Sequence, residues 1–177
     1  VSVTDGAQER RFVGGSQLVA QRMAATLGRR VVLDTPVRRI VDQGDSVLVV
    51  GDAQAWRASR VIVTLPPALA ARIDYSPVLP SARDQLTQRY PMGSVIKCQA
   101  IYDRPFWRDR GLTGQVTSDT GPVKVTFDNS PPDGSPGVLM GFVEGEEARR
   151  WSGRPVAERR AAVLESFARY FGDAAGR

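Results

Sequence analysis

Lys97 stands in a stretch of sequence where a charged side chain is costly. Residues 94–102 are rich in β-branched residues and follow a Pro/Gly turn, so they predict a strand. Alternation places Lys97 and Gln99 among apolar residues on one face and Cys98 on the other. Because both faces are largely apolar, we expect an interior strand, in which an ammonium requires a partner or a function. The alternative is that Lys97 lies at the strand end and extends to water.

The lack of histidine narrows the chemistry that this sequence can perform. A chain of 177 residues without histidine has no Ser-His or Cys-His hydrolase pair and no Cys/His metal site. Its single cysteine excludes an internal disulfide. Hydrophobic residues make up 42% of the chain and charged residues 24%, which is ordinary for a soluble globular protein. We therefore expect a globular protein without a metal site.

A net charge of +5 raises the question of a nucleic-acid partner. The arginines are scattered along the sequence, apart from doublets such as Arg149-Arg150 and Arg159-Arg160. There is no zinc-finger pattern, no RNP-type aromatic motif and no basic tail. This distribution predicts a solvated, arginine-rich surface and no nucleic-acid binding.

Hydropathy argues against a membrane segment in this sequence. No apolar run approaches the roughly 20 residues that cross a bilayer, and the residues from Val1 do not read as a signal peptide. We therefore expect a cytoplasmic protein. The heavy use of Ala, Arg, Val and Gly is typical of a high-GC bacterial gene.

The first half of the chain predicts one helix followed by short strands. Ser16 is an N-cap candidate for a helix that ends before Gly28, with apolar residues at i, i+4 and i+8. Turn residues 42–45 separate two β-branched runs and predict a hairpin of residues 37–41 and 46–50. Further strands are predicted at residues 31–33, 53–58 and 61–65.

The second half of the chain completes the predicted fold. Ser81 with Asp84 resembles a capping box and predicts a short helix to about Arg89. Beyond the strand of Lys97, the pattern predicts strands at residues 113–118, 123–128 and 137–143 and a helix at residues 155–171. This order favours an α+β fold with a mixed or antiparallel sheet and flanking helices, in two lobes that meet near residues 66–80.

Six segments in the same order resemble the flavin-dependent amine oxidases, specifically the monoamine oxidase branch. The segment that contains Lys97 resembles the one that carries the family's flavin-facing lysine. The resemblance extends from Val1 to about Phe171 and so covers nearly the whole chain. The segments are QERRFVGGS at residues 8–16, PV at 36–37, VIVTLPP at 61–67, PMGSVIKC at 91–98, PFWR at 105–108 and MGF at 140–142.

The resemblance implies a division into two domains. Residues 13–83 correspond to part of the family's FAD-binding domain, whereas residues 1–12 and 84–177 correspond to its substrate domain. The sequence has no GxGxxG fingerprint, and the family's C-terminal flavin segment would follow Arg177. We therefore expect an internal piece of a larger enzyme, inactive and without FAD when alone, whose partners include the remaining segments of the parent chain.

The resemblance also implies a reaction and a cofactor site. Flavin amine oxidases take a hydride equivalent from the carbon that bears the amine, the imine hydrolyses, and dioxygen reoxidises the flavin to give hydrogen peroxide. Lys97 matches the lysine that holds a water beside flavin N5, which makes it the catalytic and a cofactor-binding candidate. Val37 matches a residue at the adenine end of FAD, and Thr64 and Leu65 match residues that line the cofactor. For these last three, the alternative is ordinary core packing.

On the substrate side, the resemblance assigns five residues to the amine cavity. Thr117 is polar where an aliphatic residue is usual in the family, and Val125 replaces a large aromatic residue. These differences predict a roomier and more polar cavity for a small-molecule amine. The five residues are Val1, Gln8, Thr117, Val125 and Phe127.

Two alternatives to a monoamine oxidase stay open at this point. Within the same class, a polyamine or L-amino-acid oxidase is compatible with these segments, because cavity residues from other parts of the parent would decide. In a different class, the chain is a stand-alone, non-catalytic binding module of the substrate-domain type, without flavin. Apolar walls that include Val125 and Phe127 predict self-association, so a homo-oligomer is expected.

Overall fold

The computed structural model describes residues 10–177, which form two compact units, residues 10–92 and Gly93–Arg177. Each unit has its own four-stranded sheet and its own helices, so the predicted α+β fold with mixed and antiparallel sheet is confirmed. Val1 and Gln8, two of the substrate-side candidates, lie outside the described residues. The assignment of residues 13–83 to an FAD-binding domain and of residues 84–177 to a substrate domain stays a prediction.

The first unit, residues 10–92, contains a mixed sheet and three α-helices. Its elements are α1 (Gln17–Leu27), β1 (Val37–Asp42), β2 (Val47–Gly51), β3 (Ala55–Ala58), α2 (Pro67–Ala70), β4 (Asp74–Ser76) and α3 (Ser81–Arg89). The strand order is β3-β2-β1-β4, with β1 antiparallel to β2 and parallel to β4. The predicted hairpin is confirmed, and the Gln43 N–H donates to the Ser46 carbonyl at 2.8 Å to close its turn.

Three predictions fail in this unit. Residues 31–33 and 61–65 are not strands, because no strand of residues 10–177 pairs with them and β-branched side chains alone do not make a sheet. The capping box at Ser81 is also wrong. Pro80 holds the cap position of α3, and its carbonyl accepts the N–H groups of Arg83 and Asp84 at 2.8 and 3.0 Å. Ser81 is therefore the first helical residue.

The second unit, Gly93–Arg177, contains an antiparallel sheet and two long helices. Its elements are β5 (Val95–Tyr102), β6 (Val116–Thr117), β7 (Val125–Asp128), β8 (Gly137–Glu144), α4 (Gly145–Ser152) and α5 (Val156–Phe171). The strand order is β5-β8-β7-β6. The strand predicted at residues 113–118 shrinks to the two residues of β6, because only these pair with β7. None of the helices in residues 10–177 combines the length and the apolar character that a membrane span requires.

One face of the second sheet carries a hydrophobic core. Leu139 of β8 and Phe167 of α5 are completely buried in one cluster, and Trp107 belongs to the same cluster. The Trp107 ring packs edge-on against Tyr102 with centroids 5.9 Å apart. Trp107 is therefore a packing residue. The Tyr102 hydroxyl donates to the Ala175 carbonyl at 2.8 Å, and burial raises the pKa of Tyr102 to about 12.

Gly141 is a point of close contact between α5 and this sheet. A Cβ at Gly141 would lie 2.8 Å from Phe167 Cε1 and from Val123 Cγ1, closer than side-chain atoms can approach. Both neighbours are fully buried and have no space into which to move. The glycine between Met140 and Phe142 is therefore required by packing.

We expect Gly141→Ala to destabilise the protein by about 1–3 kcal/mol, the usual cost of overpacking a core. The matched control is Gly153→Ala at the end of α4, where an added Cβ meets nothing within 4 Å and φ is −84°. Thermal denaturation of both variants measures the difference. Equal melting temperatures for the two would contradict this account of the contact between α5 and the sheet.

Candidate active-site face

Four residues form one straight row across the second sheet. Lys97 of β5 is directly opposite Phe142 of β8, and Phe142 is opposite Val125 of β7. Val125 is in turn opposite Thr117 of β6. Residues opposite each other in antiparallel strands point to the same face. With strands about 4.8 Å apart, the row spans about 14 Å.

A second row lies beside the first on the same face. Gln99 is opposite Met140, and Met140 is opposite Phe127. The sheet therefore brings together four of the sequence-predicted site residues, although they come from three strands. They are Lys97, Thr117, Val125 and Phe127. We name the surface formed by both rows the Lys97 face.

The Lys97 face is the side of the sheet that does not carry the core. Along β5 the residues alternate between exposed and half-buried, and Lys97 is among the exposed ones. The prediction of an interior strand is therefore wrong for this face, because the core cluster of Gly93–Arg177 packs on the opposite side. Lys97 is the third of eight residues in β5 and so does not lie at the strand end.

An aromatic ring is the neighbour of the Lys97 ammonium. Lys97 Nζ lies over the Phe142 ring, 5.3 Å from its centroid, within the range of a cation–π interaction. In the described part of the chain, no carboxylate forms an ion pair with Lys97. Phe142 is itself packed edge-to-face against Phe127, with centroids 5.9 Å apart and planes at 87°. The ammonium thus rests on an aromatic pair.

The three other cofactor candidates share one groove in the first unit. Val37, Thr64 and Leu65 line a groove of about 490 Å³ within residues 10–92. Its wall is mostly aliphatic and includes two cations, Arg72 and Arg38, the second of which is paired with Asp52. β1 pairs with β4 only from Arg39 onward, so Val37 has no register partner in β4. A second groove of about 480 Å³ in this unit is lined by none of the predicted site residues.

Asp128 fixes the end of β7, next to Phe127. Its carboxylate accepts the Trp107 indole N–H at 2.9 Å, the Arg108 Nε–H at 2.7 Å and the Ser130 N–H at 2.9 Å. Burial alone would raise the pKa of the Asp128 carboxyl, but these hydrogen bonds together hold that pKa below its ordinary value. Asp128 therefore acts as a charged anchor for the strand that carries Val125 and Phe127.

Cys98 lies on the opposite face from Lys97, as alternation predicts. It packs against the core cluster, and burial raises the pKa of its thiol while the nearby charge of Arg159 partly offsets that effect. A half-buried neutral thiol is a poor nucleophile. Cys98 is therefore a core residue of this unit.

The site prediction did not include Asp128, which supports this face, or three residues of the face itself, Phe142, Gln99 and Met140. Alternation in β8 could have placed Phe142 on the same side as Met140, away from Leu139. That Phe142 faces Lys97 depends on the pairing of β5 with β8, for which local sequence contains no signal. No pattern in the sequence indicated the hydrogen bonds of Asp128.

Comparison with known proteins gives a consistent set of relatives. The family described as flavin containing amine oxidoreductase matches residues 2–177. A Mycobacterium tuberculosis protein, AofH, whose name places it among flavin-containing monoamine oxidases, is 45% identical over 175 residues, or 99% of this chain. Mouse amine oxidase [flavin-containing] B is 40% identical over 172 residues, or 96% of this chain. The chain spans 38% and 33% of these two relatives' lengths.

Solved structures agree in fold. Putrescine oxidase, in a structure described as wild type bound to putrescine, superposes with a TM-score of 0.88 at 38% identity and covers 93% of this chain. Cyclohexylamine oxidase from Brevibacterium oxydans gives a TM-score of 0.86 at 32% identity over 92% of this chain. This chain spans 37% and 36% of those two chains.

We expect Asp128→Asn to destabilise the protein by about 2 kcal/mol at neutral pH, because an amide must turn its NH₂ toward one of three N–H donors. The lowered pKa means that the carboxylate contributes stability above its unfolded-state pKa near 3.8, and this contribution is lost as the pH falls through the lower folded value. The melting temperatures of variant and parent should therefore begin to converge as the pH falls below about 4, and should come together only below the lower folded pKa.

The matched control for this prediction is Asp52→Asn, which breaks an exposed ion pair with Arg38. Exposed pairs contribute little, so a much smaller shift in melting temperature is expected. A pH-independent gap between Asp128→Asn and the parent would show that the charge of Asp128 is not what stabilises β7.

Proposed function

Because this chain belongs to the flavin-containing amine oxidoreductase family, we propose that the protein containing it is a flavin-dependent amine oxidase. The net reaction converts a primary amine, dioxygen and water into an aldehyde, ammonia and hydrogen peroxide, by way of an imine that hydrolyses. The observation that carries the proposal is the Lys97 face, on which four predicted site residues meet. Family membership does not favour the alternative of a stand-alone binding module.

The cofactor we propose is FAD, and the described residues suit it. The groove lined by Val37, Thr64 and Leu65 offers aliphatic walls for a flat ring and the Arg72 guanidinium for an anionic group. These residues would hold part of FAD. FAD, when bound, supplies the acceptor for the hydride equivalent and returns the electrons to dioxygen.

Lys97 would supply charge and hydrogen-bond donors for the oxygen reaction. Reduction of dioxygen to hydrogen peroxide builds negative charge on oxygen, and a fixed ammonium stabilises that charge. Lys97 carries three N–H donors and forms no ion pair within residues 10–177, so its charge is available. The resemblance adds that Lys97 Nζ would hold an ordered water. Its role is electrostatic and positional.

The rest of the Lys97 face would form a wall of the amine cavity. Val125 and Phe127 supply apolar surface, and Thr117 adds a hydroxyl at the far end of the row. The resemblance also assigns Val1 and Gln8 to the amine cavity. The relatives named for putrescine and cyclohexylamine support a small-molecule amine as the substrate class. Whether the protein forms a homo-oligomer stays a prediction.

In the full-length protein, we expect Lys97→Met to spare anaerobic flavin reduction by the amine and to slow reoxidation by dioxygen by roughly 10²–10³-fold. Methionine has a similar length and removes the ammonium, with both its charge and its N–H donors. Stopped-flow absorbance measures the two half-reactions separately. The control is Lys124→Met, the other lysine of this sequence, whose ammonium donates to the Asp119 carbonyl at 2.8 Å.

The control variant should reoxidise at the parent rate. Equal slowing of both half-reactions in Lys97→Met would indicate a displaced flavin. An unchanged rate of reoxidation would remove Lys97 from the oxygen reaction and return it to a solvated surface role.

We also expect Thr64→Trp to weaken retention of flavin roughly tenfold, because a large ring would fill the groove that Thr64 lines. The ratio of absorbance near 450 nm to protein absorbance, followed during dialysis, measures retention in the full-length protein. Ala53→Trp, in an exposed turn of the same unit outside the groove, is the control. Full retention by Thr64→Trp would assign this groove to packing alone.

A further inference from the structure

Phe142 is in contact with the charged end of the Lys97 side chain. The ammonium lies over the face of the Phe142 ring at 5.3 Å from the centroid, and the two residues are paired across β5 and β8. The face of a benzene ring is its electron-rich side and attracts a cation. The register of the strands therefore keeps the ring beneath the ammonium without any further contact.

The ring is itself held from several directions. Phe127 packs edge-to-face against Phe142, with ring centroids 5.9 Å apart, and Val125 of β7 is directly opposite Phe142. The preceding residue, Gly141, is buried where Phe167 presses on the sheet. The contact with Phe127 therefore restricts rotation of the Phe142 ring on that side. A flexible lysine side chain is restrained by resting on a fixed surface.

We propose that Phe142 is a positioning residue that places the Lys97 ammonium by a cation–π interaction, with Phe127 fixing the orientation of the ring. The consequence for catalysis rests on the proposed function, in which the charge of Lys97 assists the reduction of dioxygen. Phe142 acts through Lys97 and takes no part in proton or electron transfer.

An aromatic partner has a specific electrostatic advantage over a carboxylate. A carboxylate would fix the ammonium equally well, but the pair would have no net charge, and its field would fall off steeply. A ring attracts the cation through its quadrupole and leaves the full positive charge in place. Phe142 thus restrains Lys97 without neutralising the charge on which the oxygen reaction would depend.

The test is a series of fluorinated phenylalanines at position 142 of the full-length protein, with one, two, three and five fluorines. Fluorine weakens the cation–π attraction stepwise while changing the volume of the ring little. Two quantities are measured. One is the rate constant for reoxidation by dioxygen, and the other is the rate at which acetic anhydride labels Lys97, followed by mass spectrometry without substrate.

We expect the logarithm of the reoxidation rate constant to fall in proportion to the number of fluorines. The total slowing across the series should be about 2- to 30-fold. The labelling rate of Lys97 should rise over the same range, because a weaker attraction to the ring leaves the amine freer to react. Labelling of Lys124 serves as the internal control and should not change. A purely structural role for Phe142 predicts that neither quantity follows the number of fluorines.

Two further variants separate the effect of the aromatic face from the effect of an apolar side chain at this position. Phe142→Tyr keeps an aromatic face and should retain the parent rates, whereas Phe142→Leu should resemble the most fluorinated protein. In a Lys97→Met background, Phe142→Leu should slow reoxidation no further, because the partner is already gone. Equal slowing in both backgrounds would overturn the proposal, as would rates independent of fluorination.

The outcomes distinguish this proposal from the proposed function. If labelling follows fluorination but Lys97→Met leaves reoxidation unchanged, Phe142 positions Lys97 and the catalytic role of Lys97 is wrong. If Lys97→Met slows reoxidation but labelling ignores fluorination, the catalytic role stands and the positioning role of Phe142 is overturned.

Discussion

The pairing of β5 with β8 is the constraint on which the described site depends. Along β8 the buried residues Leu139, Gly141 and Val143 alternate with Met140 and Phe142. The first set packs against α5, so the second set must point to the other face, together with Lys97. Gly141 makes this arrangement workable, because α5 could not approach the sheet over any larger residue. Core packing and site geometry are consequently set by the same eight-residue strand.

This coupling also explains how strand register can fix the positions of the candidate residues, although the Lys97 side of β5 is exposed within Gly93–Arg177. A one-residue slip of β5 would turn Lys97 and Gln99 toward Phe167 and would expose Cys98. Burying an ammonium in an apolar cluster is so costly that such a slip is strongly disfavoured. The hydrophobic face therefore fixes the register, and the register fixes Lys97 over Phe142. Asp128 serves the same end at β7 by tying the strand to Trp107 and Arg108.

Local pattern was sufficient for much of this structure. Alternation separated Lys97 from Cys98, and the helices α1 and α5 followed from apolar spacing and from Gly28 and Pro155. It failed where partners decide the outcome. Residues 61–65 have the composition of a strand but lie beside no pairing strand of residues 10–177. The contact between Lys97 and Phe142 joins segments far apart in sequence, so no local spacing could indicate it. Resemblance supplied the candidate site residues, and strand pairing showed that four of them lie on one face.

Several arginines of residues 10–177 are fixed by ion pairs with carboxylates, and Lys97 is held in a different way. Arg108 is paired with Asp128, and Arg149 and Arg150 each bond a glutamate one helical turn earlier. Such pairs have little net field beyond their own contact. Lys97 is fixed by a ring instead, so its positive charge is located without being cancelled. A cation with these properties suits a reaction that generates negative charge on a small diffusing molecule. Dioxygen offers no functional group to bind, so a fixed field is the principal means by which a protein surface can favour its reduction.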